Sequence, residues 1–278
     1  MVALFASLSM SSKENYPVGY SATVVNTFKK RSAFEKGRFL IPHLKETDYL
    51  LDCGCGPGSI TLDFASILKK GKVVGVDFEP SQIECAKQLM KEKKVSNAEF
   101  QIADILNLAY KNNSFDVAFT NGVLWTLGET LQVLEELKRV VKPGGIIACR
   151  EPSFDGAQYY PESKIFEKAF HLQNRSLDAL GNNRNVGKEL SAYFSKVGLK
   201  DVQLSVSCDL YSSDEKRRLF ADYWINAWNI APWAKHIREK SWASLNEIKE
   251  FQQEFLAWGK KEGAFISAPW FEALGTVS

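Results

Sequence analysis

Between Tyr49 and Arg150, short apolar runs alternate with stretches of helical periodicity, and this repetition constrains the fold more than any other feature. "YLLDC" reads as a strand. "KVVGVD" reads as a second, and its unbroken apolar run suits a parallel strand covered on both faces. Between them, Ile60, Phe64, Ile67 and Leu68 fall on one helical face. Pro80 fits the first turn of the next helix, with Ile83, Ala86, Leu89 and Met90 pointing inward. "AEFQIA" and "FDVAFT" supply a third and a fourth strand. Leu134, Leu137 and Val141 mark a helix that "KPGG" stops, and "IIACR" is the fifth strand. Repeated β-α units predict an α/β fold with a doubly wound, mostly parallel sheet.

The second half is less regular. Residues 162–180 read as a helix, and Gly187–Gly198 as another with Leu190, Tyr193, Phe194 and Val197 inward. "DVQLSVSCDL" alternates strictly, so Val202, Leu204, Val206, Cys208 and Leu210 are expected on one buried strand face. Residues 213–262 read as helices, and "APWFEALG" as a last strand returning antiparallel. The expected architecture is a seven-stranded sheet with a helical cap inserted before the last strand. It divides into an N-terminal helical arm or lid (1–40), a ligand-binding domain (41–212 with 263–278) and the cap (213–262).

Composition narrows the function. Across 278 residues, 24% are charged and the net charge is only +2, which argues against a nucleic-acid binder with its concentrated basic face. The five cysteines are odd in number and include no C-x-x-C pair, so reduced thiols in a cytoplasmic protein are expected, without a thiol-bound metal. "MVALFASLSM" lacks the basic region of a signal peptide, and no apolar run reaches the ~18 residues of a membrane span. The first 15 or so residues are expected to be loosely ordered or to dock as a short arm.

"LLDCGCGPGSIT" places Gly54, Gly56 and Gly58 between a strand and a helix, so a ligand lies close to the backbone there. No G-K-[ST] follows, which excludes a P-loop. Asp52 stands at the mouth of the loop, where a carboxylate repels a phosphate but suits a cationic ligand end. Asp77 ends the second strand and can accept both hydroxyls of a ribose. Asp104 ends the third strand and can accept from an exocyclic amine. The ribose acid alone suits NAD and S-adenosylmethionine equally. Three acids at successive strand ends, with the glycine loop, predict one ligand crevice.

With these motifs in place, the chain resembles the class I S-adenosylmethionine-dependent methyltransferases. "LLDCGCGPGSIT", "VVGVDFEP", "IADIL", "FDVAFTNGVLWTL" and "LKRVVKPGG" look like their successive motifs, over about Asp48 to Glu151. The nearest subgroup is the small-molecule, ubiquinone/menaquinone-biosynthesis type. The resemblance implies that Asp52, Gly54, Gly56 and Gly58 form the loop at the methionine end. It puts Asp77 on ribose, Phe78 on adenine, Asp104 on the adenine amine and the Ile105 N–H on a ring nitrogen. Asn121, Val123 and Leu124 would lie beneath the methionine moiety, with Tyr20 and Arg31 closing the pocket. Arg31 could pair with the cofactor carboxylate.

The acceptor leaves fewer marks. "TNGVLW" lacks the proline-rich run of nucleic-acid amine methyltransferases, and Asn121 has no carboxylates beside it to hold a catalytic metal. A small, apolar organic acceptor is therefore expected. Trp125 is placed at the crevice, and Glu151 near the transferable methyl. Tyr159, Tyr160 and His171 follow in the region that usually covers the acceptor. Six of seven tryptophans lie beyond residue 220, and Phe220, Tyr223, Trp224, Ala227 and Trp228 make a helical stripe. That stripe either packs the insertion or, through Trp224, lines a pocket. Transfer from a sulfonium demands mainly positioning, so no catalytic residue is obligatory. Two other readings stay open: a non-catalytic cofactor-binding sensor or docking domain, and a protein or RNA methyltransferase.

Overall fold

The computed structural model describes residues 16–278; the arm expected at the first 15 lies outside the described residues. The chain enters through α1 (Ala22–Lys29) and the single turn α2 (Ala33–Lys36), each capped by a serine hydroxyl, Ser21 and Ser32. Five strands with three α-helices between them follow. They are β1 (Tyr49–Cys53), α3 (Ser59–Ile67), β2 (Lys72–Asp77), α4 (Pro80–Glu92), β3 (Ala98–Ile102), β4 (Phe115–Asn121), α5 (Thr130–Val140) and β5 (Val141–Pro152). Next come β6 (Gln158–Tyr160), α6 (Lys164–Ala179), α7 (Leu190–Lys196) and β7 (Lys200–Tyr211). Three helices, α8 (Asp214–Ile230), α9 (Pro232–Glu239) and α10 (Leu245–Lys260), precede β8 (Phe265–Thr276).

The sheet runs β3-β2-β1-β4-β5-β8, with β1 to β5 parallel and β8 antiparallel to β5. The strand order reverses between β1 and β4, which opens a crevice at their carboxyl ends. Strand residues alternate between two cores. Leu50, Val73, Val117 and Phe119 face α3 and α4, whereas Leu51, Val74 and Ala118 face α5 and the later helices. That double burial explains the continuous apolar runs in the sequence.

Three expectations need correction. The sheet has eight strands rather than seven, because the three-residue β6 pairs antiparallel with Phe265–Ser267 of β8. Helix α5 stops at Val140, ahead of "KPGG", and those residues form the irregular start of β5. The alternation of β7 is read correctly as a strand, but its apolar face is the open one. Leu204, Val206 and Leu210 are 47%, 57% and 47% exposed, and Cys208 is exposed too. The polar residues turn inward because the buried Arg150 needs them. Its guanidinium donates to Ser207 Oγ (3.2 Å), Glu272 Oε1 (3.4 Å) and Asp209 Oδ1 (2.7 Å), and Lys36 Nζ reaches the same Asp209 oxygen (2.6 Å). A buried guanidinium without such partners would cost several kcal/mol, so pairing outweighs hydrophobic pattern here.

Among the described residues, no helix is long and apolar enough to cross a membrane. All five cysteines are unpaired, with Cys53, Cys55 and Cys149 buried.

Candidate active site

The glycine turn after β1 is held by β2. Gly54 N–H and Cys55 N–H both donate to Val76 O, at 2.8 and 3.0 Å, and Gly56 N–H donates to Asp77 Oδ2 at 2.9 Å. Gly54 has φ +73°, and a Cβ there would overlap Val123 Cγ2 from the loop after β4. Two loops from neighbouring strands thus close on each other only because residue 54 is glycine. Gly58 does different work: it starts α3 at φ +83°, turned toward Ala86 and Phe100 of the core.

A crevice of about 1070 Å³, open to solvent, runs along this turn. The structure brings Tyr20, Arg31, Asp52, Gly54, Gly56, Asp77, Phe78, Asp104, Ile105, Asn121 and Val123 together on its walls. Leu124 is fully buried behind the loop.

The acids are in different electrostatic states. Asp52 is buried, and among the described residues its side chain accepts one bond, from the Thr61 hydroxyl to Oδ2 (2.6 Å). Desolvation pushes its carboxyl up to about 7, opposed by the Thr61 bond, with Asp77 nearby adding to the rise. Asp77 is also raised by burial, though N–H bonds from Glu79 (3.0 Å to Oδ1) and Gly56 work the other way. Asp104 is exposed, and its Oδ1 accepts the Leu106 N–H at 2.9 Å. Asn121 Oδ1 accepts from Arg150 Nη1 (3.2 Å), and among the described residues the amide's N–H groups bond to nothing at the crevice wall.

The acceptor-side candidates part company with the crevice. Glu151 is fully buried, and its carboxylate accepts from the N–H groups of Val123, Leu124 and Trp125 at 3.0, 3.1 and 3.2 Å. Burial raises its carboxyl to about 7 against those bonds. Trp125 is 8% exposed; its indole N–H donates to Gly122 O (3.1 Å) and its ring lies against Phe154. Tyr159 packs on Phe166 and Phe170, Tyr160 is 56% exposed over Phe265, and His171 is exposed on α6. Trp224 stacks on Phe255, with ring centroids 5.5 Å apart and planes 8° apart, inside a core shared by α6, α8, α9 and α10. The aromatic stripe is packing, because large rings that meet on all sides gain more from each other than from an open pocket.

Sequence reasoning missed Tyr16, Phe28, Gln82, Thr126 and Leu127, which also line the crevice. Tyr16 stacks on Tyr20 (4.8 Å), and both meet the edge of Phe78. The four-residue spacing of the two tyrosines is a faint signal. Gln82 sits one turn into α4, five residues beyond Asp77, which aims it back at the glycine turn.

The walls carry unspent polar capacity. Tyr20 Oη and Gln82 Oε1 are buried without a partner, and the Asp52 carboxylate has no cation bonded to it among the described residues. A ligand with hydroxyl donors and a cationic end would meet these needs.

A family model described as a methyltransferase domain matches residues 44–197, more than half of the chain. The chain belongs to the methyltransferase family. It is an S-adenosylmethionine-dependent methyltransferase enzyme. An uncharacterized methyltransferase of Schizosaccharomyces pombe is 31% identical over 214 residues, covering 73% of this chain and 76% of that one. A demethylmenaquinone methyltransferase of Bacillus mycoides is 29% identical over 193 residues, covering 65% and 81%. The solved phosphoethanolamine N-methyltransferase 2 of Haemonchus contortus, bound to S-adenosylhomocysteine, shares the fold with a TM-score of 0.53 at 14% identity. That match covers 84% of this chain and 49% of the other.

Proposed function

We propose that this methyltransferase acts on a small, apolar organic acceptor of the quinone-precursor kind, in the cytoplasm, and that nucleic acid is not its substrate. One observation carries the reading. Beside the charged residues Arg31, Asp52, Asp77 and Asp104, the crevice wall carries Tyr16, Phe28 and Leu127, an aromatic and aliphatic portion not assigned to the cofactor. The Bacillus relative, a demethylmenaquinone methyltransferase, supports this class of acceptor.

In this reading Asp77 and Gln82 hold the ribose, Phe78 and Ile105 flank the adenine, and Asp104 accepts the adenine amine. Asp52, the Gly54–Gly56 turn, Asn121 and Val123 hold the methionine end. Arg31 and Tyr20 close over it, with residues 16–40, the described part of the N-terminal arm, as a lid and residues 213–262 as a cap. When bound, the cofactor supplies an electrophilic methyl on a sulfonium. The chain's residues orient the acceptor toward it and exclude water. No side chain is assigned as general base.

The test is incubation with methyl-labelled S-adenosylmethionine and a fractionated metabolite extract. Label recovered in an apolar small molecule supports the reading. Label only in protein or RNA, or cofactor binding with no transfer to any fraction, overturns it; the last result favours a binding domain.

A further inference from the structure

Glu151 is a fully buried carboxylate with both oxygens bonded to backbone N–H groups. It ends β5 beside β4, is 0% exposed, and contributes no atom to the crevice wall. Oε1 accepts from Val123 N–H and Leu124 N–H, and Oε2 from Trp125 N–H. Those three amides open the short 3-10 turn Leu124–Thr126, whose first N–H groups have no partner within the turn. A side chain 26 residues or more away in sequence therefore does the work that a capping residue normally does locally. The same strand takes the preceding amide, since Gly122 N–H donates to Arg150 O at 2.8 Å.

The anchored loop carries Val123, which lies against the bare Cα of Gly54. The line of contact runs from Glu151 through the loop amides to Val123 and then to the glycine turn. We infer that Glu151 is a positioning residue: its carboxylate fixes residues 122–125 against the glycine turn and so shapes the methionine end of the cofactor site, while the adenosine end is independent of it. This rests on the proposed placement of the cofactor, and it excludes Glu151 from direct proton transfer to an acceptor.

The test compares two ligands. S-Adenosylhomocysteine spans both ends of the site; 5′-methylthioadenosine lacks the amino-acid end. Glu151→Gln keeps the shape but turns one acceptor into a donor facing an N–H group. It is expected to weaken S-adenosylhomocysteine roughly tenfold, the scale of a lost charged hydrogen bond, and to leave 5′-methylthioadenosine within about twofold. Glu151→Asp, which retains the charge but withdraws it by one methylene, should show the same split. On the unaltered chain, S-adenosylhomocysteine should slow hydrogen exchange at the Val123, Leu124 and Trp125 amides, and 5′-methylthioadenosine should not. Equal loss of both ligands in the variants, no loss of either, or equal protection by both would overturn the inference. Failure of the unaltered chain to bind S-adenosylhomocysteine would instead overturn the cofactor placement.

Discussion

The two ends of the crevice are built on opposite electrostatic plans. At the proposed adenosine end, Asp104 is exposed and Asp77 is tied to two backbone N–H groups, from Gly56 and Glu79. At the proposed methionine end, Asp52 and the Glu151 behind it are buried, and desolvation pushes each carboxyl up to about 7. Asp77 is also raised by burial, but two backbone N–H bonds oppose that rise. Asp52, on the crevice wall, is poised near neutrality, so a cationic ligand end changes its protonation as it binds. Recognition of adenosine is then mostly a matter of shape and hydrogen bonds, and recognition of the amino-acid end a matter of charge.

The largest expected effect lies outside both ends and calibrates them. Trp224→Ala should cost about 3–5 kcal/mol of stability in denaturant unfolding, the range for deleting a buried tryptophan, with S-adenosylhomocysteine affinity unchanged. A selective loss of affinity would return Trp224 to the pocket. Gly54→Ala forces a Cβ onto Val123 at φ +73°, and about 2–4 kcal/mol of destabilisation is expected, with cofactor affinity lost as well. Asp77→Ala should weaken S-adenosylhomocysteine and 5′-methylthioadenosine alike, by ~1–3 kcal/mol in calorimetric titration. Asp52→Asn should weaken only the ligand with the amino-acid end, by about 1 kcal/mol. If both variants acted alike on both ligands, the contrast between the ends would fail.

A separate effect is on stability against pH. Asp52 and Glu151 sit near 7 in the folded chain and near 3.8 and 4.5 when unfolded, so between these values the folded state binds more protons. Stability is therefore fullest below about pH 4 as far as these two groups act, and is lost as pH rises through 7. Thermal unfolding of the ligand-free protein should show this fall between pH 5 and 8, reduced in Asp52→Asn.

The sequence was most legible where local chemistry and tertiary burial agree. The parallel strands read as apolar runs because both faces are covered, and the crevice acids read as acids because each lies at or just beyond the carboxyl end of a strand. β7 misled because its alternation does not say which face is buried; the ion cluster around Arg150 decides that, and it joins residues as far apart as Lys36 and Glu272. Glu151 was legible in position and not in role. Its place at the end of β5 suggested proximity to chemistry, but only the fold shows three amides spending its oxygens. Gln82 and Tyr16 carried almost no pattern, since a lone glutamine on a helix and a tyrosine before one are common on any surface.

The contrast between Asp52, poised near neutrality, and Asp77, held by two backbone N–H bonds, is tested most directly by calorimetric titration of the unaltered protein with S-adenosylhomocysteine and 5′-methylthioadenosine from pH 6 to 7.5. The affinity for S-adenosylhomocysteine should rise across this range as Asp52 gives up its proton, while that for 5′-methylthioadenosine stays flat. Parallel pH dependence of the two ligands, or none for either, would contradict the account.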